Sequence, residues 1–270
     1  MIKILDPNVK LKIGKYPDGT PAINIDASGY TVDNLGIEWK YDSMDELPIL
    51  YSIVSHIKEN GISQNLTLLL PYMPGARMDR TQDSKDVRQL KYIAQMINHM
   101  QLKEVYVLDP HSPVTENVLN NVRVLFPRRE ISEVLSRFLK SPLLFYPDEG
   151  SLKRYNPLQK TILQLPYCYG AKKRDWKTGV IQELEIYGDT ERIKDKDILI
   201  IDDICSKGGT FLYSAKKLKE LGAHDIYLYV THCENTILEG DLLSSGLIKK
   251  IYTTNSIFRK YHPLIEVINV

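Results

Sequence analysis

The stretch ILIIDDICSKGGTF, Ile198 to Phe211, constrains the fold more than any other part of the chain. An apolar run of strand length ends in two adjacent carboxylates, turns through polar residues and two glycines, and opens into a helical pattern. A strand that is apolar throughout has to be covered on both faces, which points to a mostly parallel sheet flanked by helices. Ligands of such sheets bind beyond the carboxyl ends of the strands, where Asp202 and Asp203 stand.

The same alternation runs through most of the chain. Apolar periodicity predicts helices at 45–60, 87–100, 131–140 and 210–221, and strands at 66–70, 105–108, 143–146, 161–165, 198–201, 226–230, 251–253 and 264–270. Residues 2–41 are broken by Pro17, Gly19, Gly29 and Gly36 and read as hairpin strands with little helix. Between Cys168 and Asp197 the chain is polar and poorly periodic, a pattern expected of a mobile flap. At 270 residues there is room for two α/β domains, expected at 1–130 and 131–270.

Composition narrows the function classes. A formal net charge of +1 offers no global field to recruit nucleic acid or an anionic membrane, so neither partner is expected and any anion site must be local. No apolar run approaches the roughly 18 residues that span a bilayer, and the N-terminus lacks the apolar core of a signal peptide. Cys168, Cys205 and Cys233 form no CxxC pair, which suits reduced thiols; the expected location is cytoplasmic.

The carboxylate-and-glycine segment has a chemical purpose. Backbone N–H groups at a helix N-terminus bind a phosphate dianion, and Gly208 and Gly209 let the backbone curl close to it. Carboxylates beside that turn accept hydrogen bonds from vicinal sugar hydroxyls, so a sugar and its phosphate could share one loop. The alternative is a polar strand-to-helix turn with an acidic cap, which gives no reason for two adjacent acids after a buried strand.

This segment resembles the phosphoribosyl-diphosphate loop of the type I phosphoribosyltransferases and of the ribose-phosphate pyrophosphokinases. The resemblance assigns the ribose hydroxyls to Asp202 and Asp203 and the 5-phosphate to Ser206, Lys207, Gly208, Gly209 and Thr210. Further segments are similar to the pyrophosphokinases alone. PYMPGARMDR, Pro71 to Arg80, resembles their ATP segment and implies Arg77 and Asp79 as ATP contacts. LDPH, Leu108 to His111, resembles their DLH and places His111 near ATP and its magnesium, as an ATP contact and a metal candidate; YPDEGSLKRY, Tyr146 to Tyr155, resembles SPDxGGxxR and places Asp148 in the active site as a second metal candidate. KYPDG, Lys15 to Gly19, is similar to a hairpin that carries Tyr16 and Asp18 to a neighbouring subunit's adenine, and TTNSI, Thr253 to Ile257, to the family's terminal TNSI.

What the resemblance implies is an α/β fold of two phosphoribosyltransferase-like domains, in a homo-oligomer that uses ATP and Mg²⁺. The reaction would move the β,γ-diphosphoryl group of ATP onto the anomeric hydroxyl of ribose 5-phosphate, with Lys172 and Arg174 of AKKR as the catalytic flap pair. Several positions depart from the pattern: Met78 stands for Gln, Thr20 for Glu, Glu149 interrupts the SPDxGG context, and Ser206 and Lys207 replace Asp-Thr. The last exchange removes a negative charge and adds a positive one beside the sugar phosphate, which favours a more anionic acceptor such as ADP-ribose. A phosphoribosyltransferase and a non-catalytic partner of a pyrophosphokinase are the rival readings; the first leaves PYMPGARMDR, LDPH and TTNSI unexplained, the second the retained charged residues.

Overall fold

In the computed structural model, which describes residues 1–80, 83, 85–174 and 181–270 but not the side chains of 172–174 and 181–184, the chain divides into Met1–Phe126 and Pro127–Val270. The first unit runs β1 (Ile2–Ile4), β2 (Lys10–Lys15), β3 (Pro21–Asp26), β4 (Asn34–Trp39), α1 (Glu46–Glu59), β5 (Asn65–Leu70), α2 (Gln89–His99), β6 (Glu104–Leu108), α3 (Val114–Val118) and β7 (Val122–Leu125). Its main sheet has the order β1-β4-β5-β6-β7; β1 pairs antiparallel with β4, and the other neighbours are parallel. Strands β2 and β3 form a separate antiparallel hairpin.

Leu66, Leu68 and Leu70 on β5 are fully buried, and α1 turns Leu47, Leu50, Ile53, Val54 and Ile57 into the core. Those positions recur at helical spacing, and burying each contributes about 2 kcal/mol. The same period is what the sequence displays at 45–60.

The second unit runs α4 (Arg128–Leu135), β8 (Leu143–Tyr146), α5 (Glu149–Leu158), β9 (Tyr167–Arg174), β10 (Ile181–Gly188), β11 (Ile198–Cys205), α6 (Gly209–Glu220), β12 (Ile226–Cys233), β13 (Lys250–Thr254) and β14 (Ile265–Ile268). Its sheet order is β10-β9-β8-β11-β12-β13-β14, parallel except for the β9–β10 pair. From β8 the chain steps outward to β9 and β10, then returns to lay β11 on the other side of β8. The strand order therefore reverses between β8 and β11, and a crevice opens there at the carboxyl ends of open sheets.

Fold class and mostly parallel sheets are as expected, with three local differences. Residues 161–165, read as a strand, lie mostly in a π-helical turn, Gln159–Leu163, that continues α5. Pro157 stands inside α5 without a backbone donor, and TILQL is too short a run for its alternation to separate strand from helix. The polar stretch after Cys168 is not structureless where it is described: β9 and β10 pair from Cys168 with Gly188 onward, and the Tyr169 and Tyr187 rings stack with centroids 5.7 Å apart. Strand β11 runs on through Cys205 rather than stopping at Ile201. No helix among the described residues is long and apolar enough to cross a membrane.

One charge anchors the first unit's sheet edge. The Glu46 carboxylate at the start of α1 accepts Trp39 Nε1–H at 2.9 Å and the Asp42 backbone N–H at 2.9 Å, and meets the amino group of Met1. Burial works against its charged form, but these donors outweigh it and hold Glu46 below its ordinary value of 4.5. Its stabilising contribution is therefore complete above that value and is lost as pH falls through the lower folded value. Glu46→Gln is expected to cost about 1–2 kcal/mol at neutral pH, with the difference from the parent shrinking below pH 4; urea melts at several pH values check both.

Candidate active site

Strand β11 carries Asp202 and Asp203 to the carboxyl edge of the second sheet, beside Asp148, which follows β8. Leu199, Ile200 and Ile201 are fully buried, so the strand cannot shift without exposing apolar surface, and the acids at its end are fixed in place. Asp203 is only 3% exposed, whereas Asp202 is half-buried. Burial, followed by the nearby Asp203 and Asp148 carboxylates, pushes Asp202 well above the usual carboxylate range.

Helix α5 answers this crowding. Asp148 caps it, its Oδ1 accepting the Ser151 backbone N–H at 3.0 Å. One turn on, Arg154 places Nη2 3.7 Å from Asp203 Oδ2. The Ser151 hydroxyl donates to the Ile201 carbonyl at 2.8 Å and ties the helix to β11 one residue before the acids.

After Cys205 the chain turns through Ser206 and Lys207 into α6. Gly208 caps that helix at φ +80°, ψ 11°, a left-handed conformation that glycine adopts without strain. The backbone N–H groups of the first turn of α6 thus open onto the same edge as the acids. A second wall supports the loop. Ser206 Oγ lies 3.1 Å from Thr236 Oγ1, whose hydroxyl donates to Glu234 Oε2 at 3.1 Å, and Lys207 pairs with Glu239 at 3.5 Å. These partners belong to the 3₁₀ turn Asn235–Glu239 and its first flanking residue. Below the loop, Cys205 and Cys233 are register partners across β11 and β12. The hydrogen bond with Cys233 and then burial push the Cys205 thiol well up, and both cysteines, distant in sequence, are buried between the strands.

In the first unit, Arg77 and Asp79 lie in the segment after β5, and His111 in the turn after β6. The Ser112 hydroxyl donates to Asp79 Oδ2 at 2.6 Å and joins the two segments at the carboxyl edge of the first sheet. Burial opposes ionisation of Asp79, but Ser112 and Arg80 hold it below the ordinary value. Arg77 is exposed and His111 half-buried. Tyr16 and Asp18 sit at the tip of the β2–β3 hairpin, Tyr16 60% exposed, and among the described residues their hydrogen bonds stay within the turn: Asp18 accepts the Thr20 N–H, and the Tyr16 carbonyl accepts the Gly19 N–H. That contact holds Asp18 below its ordinary value.

Lys172 and Arg174 lie on β9, and their side chains are outside the described residues. Sequence reasoning quoted Arg154 without giving it a role, and passed over Glu234, Thr236 and Glu239. A basic residue six positions after Asp148 on a helix is the signal that could have found Arg154; the others are legible only through the contact of the 3₁₀ turn with the loop. The buried TTNSI network, in which Ser256 Oγ lies 2.9 Å from His232 Nδ1 and the Thr254 hydroxyl donates to the Thr231 carbonyl at 2.7 Å, ties β12 to β13.

Comparison with known proteins gives this geometry a setting. Residues 129–242 match the phosphoribosyl transferase domain family. The chain is 29% identical over 259 residues to the ribose-phosphate pyrophosphokinase of Pyrococcus furiosus, covering 95% of this chain and 89% of that one. It is 28% identical over 233 residues to the ribose-phosphate pyrophosphokinase of Saccharolobus solfataricus, covering 85% and 79%. In fold it is similar to the phosphoribosylpyrophosphate synthetase of Mycobacterium smegmatis, with a TM-score of 0.79 at 16% identity over 97% of this chain and 86% of that one.

The loop and its wall touch at Gly240, where an added Cβ would come within 1.9 Å of the Lys207 carbonyl oxygen; at Gly209 nothing lies within 4 Å. Gly240→Ala is expected to lose about 2 kcal/mol or more by forcing the two segments apart. Gly209→Ala, in the first turn of α6, should stay within about 0.5 kcal/mol of the parent or gain slightly. Denaturant titration of the two variants side by side tests the close approach.

Proposed function

We propose, for a chain related to the ribose-phosphate pyrophosphokinases over nearly its whole length, that it transfers the β,γ-diphosphoryl group of ATP to the anomeric hydroxyl of ribose 5-phosphate, releasing AMP. The observation that carries this reading is the edge formed by Asp202, Asp203 and the Ser206–Thr210 turn. Two carboxylates suited to sugar hydroxyls adjoin a helix N-terminus suited to a phosphate. In this reading Ser206, Lys207, Gly208, Gly209 and Thr210 cradle the 5-phosphate while Asp202 and Asp203 hold the sugar, so that its anomeric oxygen attacks the β-phosphorus. The new O–P bond forms as the bond from the β-phosphorus to the α,β-bridging oxygen breaks, and AMP leaves with that oxygen. The anomeric hydroxyl gives up its proton as the new bond forms, and the ionised carboxylates of this edge are the acceptors within its reach.

ATP is assigned to Arg77, Asp79 and His111 of the first unit, with Tyr16 and Asp18 serving a neighbouring copy in a homo-oligomer. Lys172 and Arg174 are assigned to the charge that develops on the transferring group. A divalent cation supplies charge neutralisation of the ATP phosphates when bound. The donor chemistry fits Mg²⁺: Asp148 offers a hard carboxylate, and a site where Asp148 and Asp203 drive Asp202 toward protonation gains from a cation. His111, the other residue assigned to the metal, would offer nitrogen, which suits Mg²⁺ less well than a carboxylate does.

A second acceptor has its own observation. Lys207 stands at the outer end of the loop with a side chain 65% exposed, paired only loosely with Glu239. A cation there suits a ribose bearing a 5-diphosphate ester, such as ADP-ribose.

Purified protein with ATP and Mg²⁺ is expected to form AMP only when a ribose acceptor is present; ribose 5-phosphate and ADP-ribose run in parallel identify the preferred one. Asp203→Ala and Lys172→Ala should each lower the rate at least about 100-fold with the fold retained by circular dichroism. Folded protein that forms no AMP with either acceptor would overturn the diphosphokinase reading.

A further inference from the structure

Helix α5 does more at the sugar-binding edge than present Asp148. Three contacts set its position: the Asp148 cap, the Ser151 hydroxyl on the Ile201 carbonyl at 2.8 Å, and the fully buried Tyr155 ring stacked on Tyr146 with centroids 6.2 Å apart. Ser151 and Tyr155 are one turn apart and flank Arg154, so the guanidinium is delivered in a fixed register. Its side chain is 17% exposed, that of Asp203 5%, and the Nη2–Oδ2 separation is 3.7 Å.

That distance marks an ion pair longer than a direct hydrogen bond. A purely structural pair so well covered returns little stability for its desolvation. Its position explains it better: the opposite charge meets Asp203 from α5, while Asp202, next along β11, is crowded by burial and by the Asp203 and Asp148 carboxylates. Without the guanidinium, the buried Asp203 carboxylate would lose a compensating charge, and its orientation toward Asp202 would loosen.

We infer that Arg154 is a positioning residue, whose guanidinium holds the Asp203 carboxylate beside Asp202 so that the pair grips the vicinal hydroxyls of the ribose acceptor. This rests on the diphosphokinase reading for its substrate, and deepens it. Arg154 acts through Asp203 and not on ATP, so its loss falls on one substrate.

The test compares Arg154→Met, which keeps most of the side-chain volume, with Arg154→Lys, which keeps the charge without the planar fork. Ribose 5-phosphate and ATP binding are followed separately by calorimetry, and KM for each by AMP formation. For Arg154→Met the expected result is about a tenfold or larger weakening for ribose 5-phosphate with ATP binding unchanged. Arg154→Lys should recover part of that loss. Equal ribose 5-phosphate affinity in parent and Arg154→Met overturns the inference while the proposed function stands. So does a parallel loss for both substrates that follows a fall in melting temperature, which marks a structural role alone. Should Arg154→Met fail to fold, Arg154→Lys decides: weakened ribose binding with unchanged ATP binding supports the inference, and any other pattern overturns it. A parent protein that binds ribose 5-phosphate but releases no AMP defeats the diphosphokinase reading and leaves the positioning role standing on binding alone.

Discussion

Three carboxylates gathered at the carboxyl ends of β8 and β11 are the constraint around which the second unit is arranged. Burial first, and then the neighbouring charges, push Asp202 well above the ordinary range, and Arg154 is brought against Asp203 as a compensating charge. Asp148 is occupied in part by capping α5, so one residue both starts the helix and contributes to the edge. The reversal of strand order between β8 and β11 makes room for this grouping, since elsewhere in a continuous sheet a neighbouring connection would cover the strand ends.

The loop that follows depends on a wall that is distant in sequence. Gly208 would collide with Leu242, and Gly240 with the Lys207 carbonyl, if either carried a side chain, so loop and wall approach at backbone distance. The polar groups that the turn cannot satisfy alone are met from the 3₁₀ turn: Ser206 by Thr236, and Lys207 by Glu239. Such backing holds the N–H groups of α6 in one arrangement, as preorganised binding of an anion requires. The first unit uses a comparable device on a smaller scale, where Ser112 fastens Asp79 to the turn carrying His111.

The order of strands and helices was legible from the sequence because apolar periodicity reports burial directly. Leu66, Leu68 and Leu70 alternate on β5, and Leu47, Leu50, Ile53, Val54 and Ile57 repeat on α1. The acids and glycines of Ile198 to Phe211 were legible for the same reason, being local to one strand–turn–helix. Reading failed where the pattern was short or broken, as at TILQL, where a proline and a π-helical turn replaced the expected strand. The polar run after Cys168 hid β9 and β10 because the ladder hydrogen bonds that form them leave no compositional trace.

By itself, then, the sequence determined the elements, the α/β class and the Asp-Asp-to-glycine turn, all of which follow from interactions among residues close along the chain. The tertiary structure alone decided which distant groups share the electrostatics of that turn. Arg154 meets Asp203 because α5 packs beside β11, and the 3₁₀ turn backs the loop because β12 lies next to β11 in the sheet. Charge coupling depends on separation in space, and separation in space is set by packing that no local pattern records.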